Sequence, residues 1–422
     1  MTESFWIETL GCPKNEVDSD KLVGTMLADG LVPAESPELA DVVVVNTCAF
    51  VEQARQESID TILTLDAARG SGARLVVTGC MAERYGAELA DALPEVDAVA
   101  GFGVPVTLGR TRIASSSTFD LLNLPRPTSS SPWAYVKVAE GCDRACGFCA
   151  IPTFRGKQRS RSVDDIVAEV EALGAREIVL VAQDLAAYGR DQGVGERAIV
   201  PLMKAVAERA DRVRLLYLYP SDLTDELVET ICRSGVPYFD LSLQHVSPPL
   251  LRSMKRWGDG DRFAARIASI RELEPQAAFR SNFIVGYPGE TEDDHDQLLE
   301  FVESVELDWC GFFPFSKEEG TYAASLEDQV PTELVAERLA ELTELQDRIT
   351  AAKRDQMIGS EVEVLVDGPG RGRTWREAPE IDGIVMVAPE LETGSFASVR
   401  IVDALGPDLV AEGAVVGDGD DE

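Results

Sequence analysis

Six strand-like apolar runs recur through the middle of the chain, and no other feature restricts its fold as much. They read AYVKVAE, REIVLVAQD, VRLLYLYP, YFDLSLQH, AFRSNFIVGYP and WCGFFPFS, and they start at residues 134, 176, 213, 238, 278 and 309. Most intervals leave room for one helix, which is the spacing of a strand–helix unit. Six such units predict a parallel barrel, complete or partial, with functional residues in the loops that follow the strands.

The first hundred residues repeat a related unit three times: an apolar run, a short turn carrying one cysteine, then a helical pattern. The runs are FWIETL before Gly11 and Cys12, DVVVVNT before Cys48, and RLVVTG before Cys80. If the strands are parallel neighbours, all three thiols emerge at the carboxyl edge of an open sheet, where such sheets place their ligands. From Thr332 to about Gly359, Val335, Leu339, Leu342, Leu345, Ile349 and Ala352 step by three and four, as in one amphipathic helix. Beyond it Val362, Val364 and Val366 alternate with polar neighbours, which predicts a small β-barrel that binds nucleic acid or a partner. The expected class is therefore α/β, with an N-terminal open parallel α/β sheet over 1–112 and a Ser/Thr/Pro-rich linker over 113–132. A partial barrel with its connecting helix covers 133–357, and a small β-barrel covers 358–422, ending in a frayed acidic DGDDE tail.

Of the 422 residues 45% are apolar and 27% charged, and no run of eighteen apolar residues occurs, so a soluble globular protein without a membrane span is expected. MTESFWIETLGC does not resemble a signal peptide, which points to the cytoplasm, where thiols stay reduced. Lys and Arg total 39 against 74 for Asp and Glu, a net charge of -35. Such a field repels phosphate backbones and draws in a basic protein partner. His245 and His295 are the two histidines, so a metal site must rest mainly on sulfur or carboxylate.

In AEGCDRACGFCAIP, Cys142, Cys146 and Cys149 crowd three thiols into the loop after the first barrel strand. Zinc sites close with four ligands, and iron–sulfur cubanes are normally held by four thiolates. Three leave one iron open to a small molecule. Cys12, Cys48 and Cys80 repeat the count and suggest a second cluster of the same kind, whereas Cys232 and Cys310 read as packing thiols.

The C-x3-C-x2-C loop resembles that of the radical S-adenosylmethionine superfamily. LGCPKNEVDSD, VVVNTCAFVEQARQESID, VVTGCMAERYG, EGCDRACGFCAIPTFRGKQRSR, FIVGYPGETEDD and SKEEGTYA together resemble the methylthiotransferases of that superfamily, with a TRAM-like barrel at the C-terminus. LGCPKN, SLQHVS and REAPEIDG resemble the branch that modifies an aspartate β-carbon in a small-subunit ribosomal protein. The resemblance implies a 4Fe-4S cluster on Cys142, Cys146 and Cys149 and a second on Cys12, Cys48 and Cys80. It also implies S-adenosylmethionine bound near Gln183, Asp184, Gly286 and Glu290. A basic ribosomal protein would be the substrate, a flavodoxin or ferredoxin the electron donor, and the ribosome a further contact. Two alternatives stand beside it: the same chemistry on a tRNA adenosine, and a non-catalytic iron–sulfur redox sensor or electron carrier.

Arg155, Lys157, Arg159 and Arg161 form a basic run after the cluster loop, for which a solvated face is the first expectation and neutralisation of cluster or substrate charge the second. Thr291 and Asp294 have the spacing of a capping box. His245, at a strand end in the barrel mouth, reads as a structural histidine before a proton relay.

Overall fold

The protein is described by a computed structural model covering residues 2–104, 106, 120–193 and 198–415. Its N-terminal repeats form a parallel sheet of β1 (Ser4–Thr9), β2 (Val32–Pro33), β3 (Val42–Thr47), β4 (Arg74–Gly79) and β5 (Ala98–Val99), in the order β2-β1-β3-β4-β5. Val42 to Val45 are β-branched and fully buried, as suits a central strand covered on both faces. Helices α1 (Pro13–Ala28), α2 (Glu52–Ala68) and α3 (Cys80–Ala92) follow β1, β3 and β4. Because those three strands are adjacent and parallel, Cys12, Cys48 and Cys80 all leave the sheet at one edge.

The six central runs become six parallel strands. The first, β6 (Trp133–Lys137), is followed by β7 (Ala139–Glu140) and β8 (Arg159–Ser160), which pair antiparallel and clamp the cysteine loop between them. The others are β9 (Glu177–Val181), β10 (Arg212–Leu215), β11 (Tyr238–Gln244), β12 (Ala278–Val285) and β13 (Trp309–Pro314). Each pairs parallel with its neighbour in chain order, and a single bridge from Leu218 to Leu241 joins the two halves. Among the described residues no pairing links β6 to β13, so the barrel is partial.

Around it run α4 (Ile151–Arg155), α5 (Val163–Leu173), α6 (Ile199–Ala207), α7 (Asp225–Arg233), α8 (Pro248–Ser253), α9 (Gly260–Leu273) and α10 (Glu292–Val305). Ser162, Thr224 and Asp259 cap α5, α7 and α9, and Thr291 with Asp294 forms the expected capping box on α10. The long amphipathic helix is α11 (Thr332–Asp355), packed against β13 and α10. Cys232 and Cys310 pack, partly buried, against the barrel core.

The C-terminal strands β14 (Glu361–Gly368), β15 (Arg371–Arg373), β16 (Val385–Met386), β17 (Phe396–Leu405) and β18 (Asp408–Ala411) close into a barrel in the order β14-β15-β16-β18-β17. The segment between β15 and β16 enters the large barrel. There Ala378 joins an apolar cluster with Tyr135, Val179, Val181 and Tyr238, while Tyr135 donates to the Pro379 carbonyl and Tyr238 to Asp382. Residues 113–119 of the expected linker and the DGDDE tail lie outside the described residues. The later linker residues Leu121 and Leu122 are buried, and Lys21 donates to the Leu122 carbonyl.

Candidate active site

The N-terminal thiols sit on backbone that only glycine tolerates. Gly11 has φ +98°, and a Cβ there would lie 2.9 Å from Cys48 Cβ and 3.0 Å from its Sγ. Gly79, at φ +89°, precedes Cys80, and a Cβ on it would lie 2.3 Å from Asn46 Oδ1. The missing side chains let the three turns close on one another. Asn15 then ties them together: its Nδ2 donates to the carbonyls of Leu10 (2.9 Å) and Thr47 (3.0 Å), while the Cys80 thiol approaches its Oδ1 at 3.5 Å. Burial works to raise the Cys12 thiol, but Lys14 and Arg155 outweigh it and hold it below its ordinary value. Cys48 is pushed up to about 12, by burial first and then by Cys12 and Cys80; Cys80 is also raised by burial, against the pull of Arg155. The three thiols therefore share one electrostatic environment with two cations beside it.

The second triad lies in the loop held by β7 and β8. Gly141 has φ +79°, and a Cβ there would meet the Lys157 carbonyl oxygen at 2.2 Å, so the loop crosses itself closely. Gly147 N–H donates to the Met254 carbonyl (2.8 Å) and its own carbonyl accepts from Ala323 (2.7 Å), which pins the loop to both sides of the barrel mouth. Arg256 Nη1 donates to Cys146 Sγ at 3.3 Å, and Arg144 N–H reaches Cys142 Sγ at 3.4 Å. Burial raises Cys142 to about 11 and Cys149 to about 12. The Arg144 guanidinium pairs with Asp184 (2.5 Å) and Asp222, and both Arg144 and Arg256 lie over the Tyr219 ring, at 3.8 and 4.4 Å.

A buried ionic knot joins the triads. Arg155, at the end of α4, donates through Nη1 to Glu140 (2.9 Å) and Asp18 (3.3 Å), and through Nη2 to Asn15 Oδ1 (2.8 Å) and Cys80 Sγ (2.9 Å). Lys137 pairs with the same Asp18 and Glu140, and Gln183 Nε2 donates to Glu140 at 2.7 Å. Lys14 Nζ stands 3.5 Å from the centroid of the Tyr217 ring, just past the end of β10. The solvated-face expectation for the basic run is therefore corrected for two of its members. Arg155 and Arg161 are buried and paired, Arg155 turning to the sheet edge at Asn15 and Cys80 and Arg161 to Glu169 of α5 and the Lys137 carbonyl of β6, whereas Lys157 and Arg159 remain exposed.

The other expected positions are distributed around this centre. Gln183 and Asp184 follow β9 in the mouth, each keeping one buried oxygen, Oε1 and Oδ1, without a protein partner, as does Asn282 Oδ1 on β12. Gly286 (φ +78°) and Tyr287 donate their N–H groups to Glu290 Oε2, and Arg338 of α11 holds Oε1 at 2.9 Å, so Glu290 shapes the turn above the mouth. Leu185 and Ala186, after Asp184, are core residues. His245 is fully buried, accepting from Ser247 N–H at Nδ1, while Nε2 makes no hydrogen bond and lies 4.0 Å from Glu290 Oε2. Sequence reasoning passed over Asn15, Asp18, Glu140 and Arg256. For two of them a signal existed: Asn15 and Asp18 lie on the same helical face as Leu22 and Met26, where a purely structural helix would be apolar.

The donor set suits iron–sulfur chemistry. Six of the eight free thiols fall into two groups of three, one at the sheet edge and one in the barrel loop, and among the described residues no three His, Cys, Asp or Glu side chains converge on a single ion. The unpartnered oxygens of Gln183, Asp184 and Asn282 line the mouth as acceptors that a bound polar molecule could satisfy. A partial parallel barrel with a three-cysteine loop after its first strand defines a radical S-adenosylmethionine enzyme. Residues 136–302 match the radical SAM superfamily, residues 4–101 match a family described as uncharacterized protein family UPF0004, and residues 358–414 match the TRAM domain. The chain is 40% identical to the ribosomal protein uS12 methylthiotransferase RimO of Akkermansia muciniphila, covering 96% of this chain and 98% of that one. It is 42% identical to that of Moorella thermoacetica, over 93% and 95%. It belongs to the RimO family of ribosomal protein uS12 methylthiotransferases. Among solved structures the fold is similar to the radical S-adenosylmethionine methyltransferase TsrM of Kitasatospora setae, with a TM-score of 0.52 over 74% of this chain and 73% of that one at 14% identity. No helix among the described residues is long and apolar enough to cross a membrane.

Proposed function

We propose that this enzyme methylthiolates an aspartate β-carbon of ribosomal protein uS12 in the cytoplasm. Cys142, Cys146 and Cys149 would hold one 4Fe-4S cluster and Cys12, Cys48 and Cys80 another. When bound, the clusters and S-adenosylmethionine supply radical hydrogen abstraction and a methylthio group, chemistry that no side-chain acid or base provides. Gln183 Oε1 and Asp184 Oδ1 are the acceptors offered to the cofactor, and the turn from Gly286 to Glu290 walls its pocket. Arg144, fixed by Asp184 and Asp222, keeps the loop in register with β9 and with the turn after β10. Lys14 has no carboxylate partner among the described residues and stands between the N-terminal triad and the barrel lumen, so it is the cation available to the substrate carboxylate. A flavodoxin or ferredoxin supplies electrons, and the TRAM barrel docks the substrate or the ribosome.

One observation carries this reading: the guanidinium that follows the barrel triad touches a thiol of the N-terminal triad, so the loop that carries one set of thiols is docked against the other set. The test is anaerobic incubation of reconstituted enzyme with uS12 or with tRNA, scoring a mass gain of about one methylthio group. Gain on uS12 alone is expected. Cys146→Ala should abolish 5'-deoxyadenosine formation, Cys48→Ala should retain it while losing the product, and Lys14→Met should raise KM for uS12 about tenfold by removing a charge-assisted contact. Gain on tRNA alone sinks the proposal, and full product from Cys48→Ala removes the second cluster from it.

A further inference from the structure

Arg155 is unusual in where it comes from and what it reaches. It lies six residues beyond Cys149, yet its Nη2 is 2.9 Å from Cys80 Sγ, 75 residues away in sequence, while its other arm is held by Glu140 and Asp18. The Phe102 ring lies against the guanidinium, 4.5 Å from its centroid, and the residue is buried, so water does not compete for these bonds. Within the knot Lys137 and Arg155 balance Asp18 and Glu140, so loss of Arg155 leaves one carboxylate uncompensated beside the thiols.

We infer that Arg155 is a positioning residue that raises the reduction potential of the N-terminal cluster, by donating to Cys80 and by neutralising the carboxylates behind it. This rests on the two-cluster reading above. The physical reason is general: reduction adds negative charge that spreads onto the ligand sulfurs. A buried guanidinium on one sulfur therefore stabilises the reduced form more than the oxidised one. The barrel triad has its own donor, Arg256 on Cys146, so each cluster is tuned by a different arginine. Arg155 reaches the N-terminal thiols from the barrel, which makes that tuning depend on how the two parts are docked.

The experiment uses the full chain carrying Cys142→Ala, Cys146→Ala and Cys149→Ala, so that a single cluster remains, with iron and sulfide counted first. Its midpoint potential is then followed by electron paramagnetic resonance in a redox titration, with and without Arg155→Met. The expected result is a lower potential, by about tenfold in the reduced-to-oxidised ratio, or about 59 mV for one electron. Arg155→Lys, which keeps the charge and loses the fork, should fall between, and serves as the readout should the methionine variant not fold. Arg256→Met in the same background should leave the potential unmoved. A cluster present in full with the same potential in the Arg155 variants overturns the inference alone. A parent chain holding no cluster overturns it together with the two-cluster reading.

Discussion

His245 is sealed in the barrel wall with its Nδ1 bound to the Ser247 N–H, and its Nε2 makes no hydrogen bond but stands 4.0 Å from Glu290 Oε2. Burial, against the weaker pull of Asp294, lowers its pKa from 6.5 to about 4. Below pH 6.5 the unfolded chain therefore takes up a proton that the native protein refuses. Stability is fully present above that pH and is lost as the pH falls toward 4, by about 1.4 kcal/mol per unit and roughly 3 kcal/mol in all. Urea midpoints at pH 7 and pH 5 should show about 2 kcal/mol of that loss in the parent, and His245→Gln should flatten the difference; an equal slope in both would show that other groups carry it. Individual residues are also where the sequence was hardest to read. The basic run presented four similar cations, and nothing in its spacing separates Arg155 and Arg161, which turn inward, from Lys157 and Arg159, which do not.

The elements themselves are joined by charged bolts as much as by apolar faces. Glu318, from the SKEEGTYA stretch after β13, accepts from Arg55 of α2 and Arg84 of α3, each at 2.6 Å, and its carboxyl also receives the Ser316 hydroxyl. Arg84 also donates to the Ala49 carbonyl beside Cys48, so this bolt reaches the N-terminal triad. Glu318→Ala leaves two largely buried guanidinium groups without their carboxylate, which costs about 3 kcal/mol where such a pair is truncated. Hydrogen exchange in α2 and α3 should then accelerate while β9 and β12 stay protected; unchanged exchange would mean that apolar packing alone docks the sheet. Element identity was far more legible than these bolts. Strand starts, the α10 capping box and the α11 stripe follow from periodicity and local hydrogen bonding, which operate within a few residues.

At the scale of the whole molecule, the TRAM barrel is fastened by ion pairs at the other end of the large barrel. Glu177 lies between Arg214 (2.8 Å) and Arg373 (3.1 Å); burial would raise its pKa, but Arg373, Arg214 and Arg212 together bring it down to about 2. The same molecule carries a net charge of -35. Its association rate with a basic ribosomal protein should therefore fall steeply with salt, by an order of magnitude or more between about 50 and 300 mM, while dissociation changes less. Stopped-flow traces at several ionic strengths check this, and a salt-independent rate would mean the charge serves solubility only. By itself the sequence determined the number and order of the βα units, the edge of the sheet at which three thiols emerge, and the three-cysteine loop. Those features are set by side-chain period and short-range turn chemistry. Only the tertiary structure decided that Arg155 meets Cys80, that Glu318 receives Arg55 across 263 residues, and that Ala378 of the segment after β15 packs inside the large barrel. Such partnerships join residues with no common periodicity, and they form because a buried charge must find its counterpart wherever the fold brings one.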